Sequence, residues 1–155
     1  MRQSDRLAAS FEEVTVPIQG KQILLIDPAQ RFEVEQMLRG LGMEVRSVAN
    51  PAAALEIASR EDFDMALLDI ALAGEGGEGI VARLRAQTTI PSILVITTED
   101  AVRRAVRALQ YGADDYLVRP LERAEVRARL SRILEWQHAG DRAVRLQNEL
   151  GRKYL

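Results

Sequence analysis

Met65-Ala66-Leu67-Leu68-Asp69 is four consecutive apolar residues closed by a carboxylate, and its reading decides the fold. A strand with one face in water alternates apolar and polar side chains, whereas a strand covered on both faces does not need to. Two more runs share the pattern: Ile23-Leu24-Leu25-Ile26, followed by Asp27-Pro28, and Ile93-Leu94-Val95-Ile96, followed by Thr97. The weaker Val45-Arg46-Ser47-Val48 and Tyr116-Leu117-Val118 complete a set of five. Between them the apolar spacing is helical. Phe32, Met37, Leu38 and Leu41 line one face, as do Ala54, Leu55 and Ala58, then Ile80, Val81 and Leu84. Val102, Val106 and Leu109 form the next stripe, and Val126, Leu130, Ile133 and Leu134 the last. Gly42 and Gly112 stand where two of these helices should end. Strand–helix alternation of this kind predicts an α/β fold, a doubly wound parallel sheet with helices on both faces and right-handed crossovers.

The 155 residues are enough for one domain with short extensions. We expect an N-terminal extension over 1–20, with a short helix around Leu7–Val14, and the main domain over 21–138. A helical linker or coiled-coil extension is expected over 139–155, starting from Gly140-Asp141 as a stop-and-cap pair. In that last segment Ala143, Leu146 and Leu150 form a narrow apolar seam. There is no cysteine, which excludes disulfides, thiolate metal sites and cysteine nucleophiles and suits a reducing cytosol. A single histidine, His138, excludes a histidine metal cluster. The formal net charge of -2 gives no overall basic field for nucleic acid. No apolar run reaches the length of a membrane span, and the charged N-terminus does not read as a signal peptide, so a cytoplasmic protein is expected.

In open parallel sheets, function gathers at the carboxyl ends of the strands. Here those ends carry Asp27, Asp69, Thr97 with Thr98, Glu99 and Asp100, and Arg119-Pro120. One aspartate ending a strand is usually a turn or cap residue. Several equipped ends on the same edge have a coherent chemistry. A carboxylate can attack a phosphoryl group and carry it as an acyl phosphate. A divalent cation offsets the charge that gathers, and a hydroxyl and a fixed cation hold the phosphoryl oxygens.

Three stretches carry a family resemblance. Leu67-Leu68-Asp69-Ile70-Ala71-Leu72-Ala73-Gly74 resembles the loop around the phosphorylated aspartate of response-regulator receiver domains. Ile90-Pro91-Ser92-Ile93-Leu94-Val95-Ile96-Thr97 resembles their fourth strand, and Gly112-Ala113-Asp114-Asp115-Tyr116-Leu117-Val118-Arg119-Pro120 their fifth. The resemblance covers residues 21 to about 138. It implies a flavodoxin-like sheet of order 2-1-3-4-5 and a phosphoryl group received from a sensor histidine kinase, in a signalling acceptor rather than an enzyme. Carried over residue by residue, Asp69 is the phosphoacceptor. Asp27, Asp69 and the Ala71 carbonyl are the magnesium ligands. Thr97, Arg119 and Tyr116 are the phosphoryl contacts and switch, and Pro120 is the candidate for a cis peptide bond.

The departures from the family pattern bear on the metal. Consecutive acids usually follow the first strand; here Asp27 is followed by Pro28. Anchored on the strand, Asp27 is the first acid; anchored on the helix through Pro28, Arg31, Val34 and Gly42, it falls at a later place. Either way one metal-side carboxylate is missing, so weak magnesium binding is expected. Arg119 replaces the usual lysine and Ala73 a frequent proline. A phosphorylation-independent pseudo-receiver, acting through contacts or dimerisation, is the alternative.

Gly74-Glu75-Gly76-Gly77-Glu78-Gly79 fits the dinucleotide-binding G-x-G-x-x-G. Glu75 and Glu78 would put negative charge against a pyrophosphate, and the motif follows the third strand rather than the first. A flexible loop explains it more simply. Arg103, Arg107, Arg123 and Arg127 crowd the last two helices, with Asp114 and Asp115 nearby. No reading helix or stacking platform accompanies them, so direct nucleic-acid binding is not expected. In the family this face is a common dimer surface, and a homodimer pairing these residues across a two-fold axis is expected. Residues Arg145–Tyr154 are similar to the linker that joins receivers to the ATPase module of bacterial enhancer-binding transcription activators. The output domain is not identified by the sequence.

Overall fold

Strand β1 (Gln22–Ile26) is an interior strand of a five-stranded sheet. The computed structural model describes residues 17–27, 31–70 and 77–154. After β1 come α1 (Arg31–Gly40), β2 (Glu44–Val48), α2 (Pro51–Ala58) and β3 (Met65–Asp69). They are followed by α3 (Gly77–Gln87), β4 (Ile93–Thr97), a 3-10 turn (Glu99–Ala101), α4 (Val102–Gln110), β5 (Asp115–Val118) and α5 (Arg123–Tyr154). The strand order is β2-β1-β3-β4-β5 and every pairing is parallel, the flavodoxin-like topology expected from the sequence.

The continuous apolar runs are explained by two separate cores. Successive side chains along a strand point to opposite faces. Ile23, Leu25, Met65, Leu67, Leu94 and Ile96 therefore pack on one face, against Val34 and Leu38 of α1 and Val126, Leu130, Ile133 and Leu134 of α5. Leu24, Ile26, Ala66, Leu68, Ile93 and Val95 pack on the other, against Ala54 of α2, Ile80, Val81 and Leu84 of α3, and Ala105 and Ala108 of α4. Strands β1, β3 and β4 are buried along nearly their whole length, while β2 and β5 at the sheet edges are only partly covered. Fully burying a leucine or isoleucine contributes about 1.5–3 kcal/mol. The three central strands thus hold the site edge rigid.

Two expected helical stripes are displaced. Phe32 is 73% exposed, because α1 turns Val34, Leu38 and Leu41 inward and Phe32 falls on the far side. In α4, Ala105 and Ala108 meet the sheet and Val106 is exposed, since the small residues let the helix approach closely. Gly42 and Gly112 follow α1 and α4 with φ of 90° and 118°, backbone that L side chains rarely adopt.

Helix α5 runs unbroken through Gly140-Asp141, where the sequence predicts a stop. A glycine inside a helix costs only about 1 kcal/mol relative to alanine, too little to end a helix whose first turns are already packed. Gln137 fixes where the helix crosses the sheet, because its Nε2 donates to the Asp64 carbonyl (3.0 Å) and to Ser92 Oγ (2.5 Å), just before β3 and β4. Side-chain contacts of Ala143, Leu146 and Leu150 lie outside the described residues, as do Leu7–Val14, Pro28 and the Ala71–Gly76 part of the glycine loop. No helix among the described residues is long and apolar enough to cross a membrane.

Candidate functional site

The sheet register brings four strand ends together. Ile26 pairs with Leu68, Asp69 with Ile96, and Thr97 with Val118, so Asp27, Asp69, Thr97 and Arg119 follow one another across the carboxyl edge. The Arg119 amide donates to the Thr97 carbonyl at 2.8 Å, carrying the β4–β5 ladder one residue past the strand. The next peptide bond, Arg119–Pro120, is cis.

Asp27 is completely buried, Asp69 is 7% exposed and Thr97 is 2% exposed. Burying a carboxylate is costly unless a cation and hydrogen bonds compensate it. Arg119 compensates both acids. Its Nη2 donates to Asp27 Oδ2 at 2.6 Å and to Asp69 Oδ2 at 2.8 Å. Burial works to lower the pKa of this guanidinium. The hydrogen bonds to Asp69 and Asp27, with the charges behind them, outweigh burial and raise it above the ordinary arginine value. The trio therefore carries a net charge of about −1 around one shared nitrogen.

Thr97 ends β4 with its hydroxyl donating to the Ala101 carbonyl of the 3-10 turn at 2.9 Å. Beyond it, Thr98, Glu99 and Asp100 are exposed, and Thr98 Oγ1 bonds Asp100 at 2.5 Å. Tyr116 is half-buried on β5, opposite Val95, and packs on the core beneath α2, α3 and α4. Ala71 lies outside the described residues, as does Pro28.

The acids of the expected dimer face are held within the chain. Asp114 pairs with Arg85 and accepts the Ile93 amide at 2.8 Å. Both Asp115 oxygens accept from Arg129 Nη1 at 3.0 Å. Those Asp115 bonds raise the Arg129 pKa against the opposing effect of burial. Arg123 donates to the Gly40 carbonyl at 2.5 Å. Asp114 and Asp115 are thus each paired with an arginine of the same chain. Arg103, Arg107 and Arg127 are exposed on α4 and α5.

A groove of about 460 Å³ opens beside Arg119, lined by Glu33, Val34, Met37, Arg119, Pro120 and Leu121. The sequence reading places none of Glu33, Val34, Met37 or Leu121 at the site. The available signal was topological, because α1 must pass the carboxyl end of β1 on its way from Asp27.

Whether these residues fit a magnesium ion is decided by the same nitrogen. Magnesium takes oxygen ligands in near-octahedral geometry. Asp27 and Asp69 supply oxygens, but their Oδ2 atoms both close on Arg119 Nη2. Among the described residues, no group of three or more acidic, histidine or cysteine side chains could hold a metal. The arrangement does not fit a divalent ion while Arg119 is seated.

Residues 23–131 match the response regulator receiver domain family. The transcriptional regulatory protein HprR of Escherichia coli (strain K12) is 36% identical over 120 residues, which is 76% of this chain and 53% of that protein. The alginate biosynthesis transcriptional regulatory protein AlgB of Pseudomonas aeruginosa is 29% identical over 142 residues, 91% of this chain and 32% of that protein. The chain thus spans 53% and 32% of the length of these two curated relatives. A solved receiver domain, that of the sensor histidine kinase PA1611 from Pseudomonas aeruginosa PAO1, has a magnesium ion coordinated in its active site cleft. It is 33% identical with a TM-score of 0.64, over 73% of this chain and 96% of that one.

Proposed function

The chain belongs to the response regulator receiver family, and on that premise we propose that it takes a phosphoryl group on Asp69 from a sensor histidine kinase. The observation that carries this reading is the meeting of Asp27, Asp69, Thr97 and Arg119 at one edge of the sheet, with the cation hydrogen-bonded to the acceptor carboxylate. Asp69 acts as the nucleophile. Arg119 offers positive charge where phosphoryl oxygens arrive, and the Thr97 hydroxyl turns from the Ala101 carbonyl toward them. Tyr116 stands on β5, whose last residue, Val118, leads directly into Arg119. From there it carries the change at Arg119 into the α4–β5–α5 face.

That face, together with the continuous end of α5, would then control self-assembly or an output domain, as transcription regulation by the longer relatives suggests. The chain acts in the cytoplasm as an acceptor rather than as a turnover enzyme. Magnesium, expected to bind weakly, meets at this pocket a guanidinium hydrogen-bonded to both carboxylates. The test is incubation with a small phosphodonor, followed by intact mass. One added phosphoryl group is expected, and Asp69→Asn should abolish it. An unchanged mass at saturating donor would refute the reading and leave a phosphorylation-independent module.

A further inference from the structure

We propose that Arg119 is the resident cation of this pocket and takes the place of the divalent metal, so that phosphoryl uptake by Asp69 does not require magnesium. The inference rests on the reading of Asp69 as phosphoacceptor, but its metal-binding half can be tested without it. Three observations carry it. One nitrogen, Nη2, lies within hydrogen-bond distance of both acids, at 2.6 Å and 2.8 Å. The acids are buried and the Arg119 side chain is only 13% exposed, so water screens the three charges poorly. Asp27 is followed by Pro28, which supplies no carboxylate to a competing metal.

A guanidinium is well suited to that role. It stays charged, is less strongly hydrated than an ammonium, and its planar fork matches carboxylate and phosphoryl oxygens alike. In the transfer step a carboxylate oxygen of Asp69 forms a bond to phosphorus as the P–N bond of a phosphorylated imidazole breaks. The electron pair of that bond leaves on the imidazole nitrogen, which takes a proton from solvent. Arg119 stabilises the equatorial phosphoryl oxygens through this change, the task that arginine performs in other phosphoryl transfers.

Two measurements decide the proposal. The first is a magnesium titration of the full chain followed by amide chemical shifts, up to about 20 mM, a range that would saturate an ordinary weak carboxylate site. The Asp27 and Asp69 amides should show no saturable shift. In Arg119→Met they should, with affinity gained by at least about tenfold. Arg119→Lys, which keeps a charge but loses the fork, serves if the methionine variant does not fold, and should also gain affinity. Saturable binding in the wild-type chain, with Arg119→Met or Arg119→Lys no tighter, overturns the proposal. The second is phosphoryl uptake from a small donor in excess chelator and in magnesium, where rates within about threefold of each other are expected. Uptake only with magnesium overturns the proposal and leaves Asp69 as acceptor. No uptake in either condition removes the acceptor reading, and the titration alone then decides whether Arg119 excludes the metal.

Discussion

Replacing Arg119 by methionine should destabilise the chain severely, and the structure sets the size of the effect. The substitution removes one charge from a cluster in which Asp27 is fully buried and the Asp69 side chain is 11% exposed. At an effective dielectric of about 20, a charge pair about 4 Å apart is worth about 4 kcal/mol, and Arg119 makes two such pairs. Part of that attraction is offset by the cost of desolvating the guanidinium, which the variant no longer bears. Removing one partner of a buried pair generally costs about 3–5 kcal/mol, and we expect that range here. For a chain of this size each kcal/mol lowers Tm by about 2–4 °C, so the expected drop is about 6–20 °C. Urea unfolding at neutral pH measures the loss directly, with an unchanged m-value showing that the folded and unfolded states compare as before. A second substitution, Asp27→Asn in the Arg119→Met background, should restore at least about 1 kcal/mol by removing the repulsion between the two acids. A loss below about 1 kcal/mol for Arg119→Met would refute the reasoning, because a guanidinium seated between two buried carboxylates cannot be removed that cheaply.

Three further outcomes are expected. Gly112→Ala should cost more than about 1 kcal/mol in urea unfolding, since the residue has φ of 118° and an added Cβ would meet Arg85 Cγ at 2.7 Å. Analytical ultracentrifugation should find the full chain dimeric and a chain ending at His138 less so; a monomer in both at tens of micromolar would discard the assembly reading. Because the Arg119 and Arg129 pKa values are raised, their contribution is complete below the unfolded value and is lost only as pH rises through the folded one, at strongly alkaline pH. Stability should therefore show no step from either guanidinium between about pH 7 and 9.

The strands that sequence reading places best are those buried on both faces. Ile23–Ile26, Met65–Leu68 and Ile93–Ile96 are apolar without interruption because each alternate residue meets a different core. Helical stripes were less legible. Val106 competes on hydrophobicity with Ala105 and Ala108, but the sheet selects the small residues because they allow closer approach. For the site, the residue types and their places at the carboxyl edge were legible from strand ends alone. The atoms that meet were not. Arg119 and Asp27 are 92 positions apart, and nothing local in either segment says that one nitrogen serves two acids. The same limit applies to Asp114 and Asp115, whose carboxylates are held by Arg85 and Arg129.

The C-terminal seam lies on the continuation of the unbroken α5. An isolated helix of fewer than about 12–15 residues is marginal in water because nucleation is costly. Here nucleation has already occurred in the turns that carry Val126, Leu130, Ile133 and Leu134, which the sheet holds in place. Each later residue needs only to propagate the helix, and so Gly140 is tolerated. Gln137 then fixes the helix against the amino edge of the sheet through Asp64 and Ser92. The site's cation lies at the opposite, carboxyl edge, with Pro120, Leu121 and Glu122 between it and α5 along the chain. Arg119 therefore has a short covalent path to the start of a 32-residue helix.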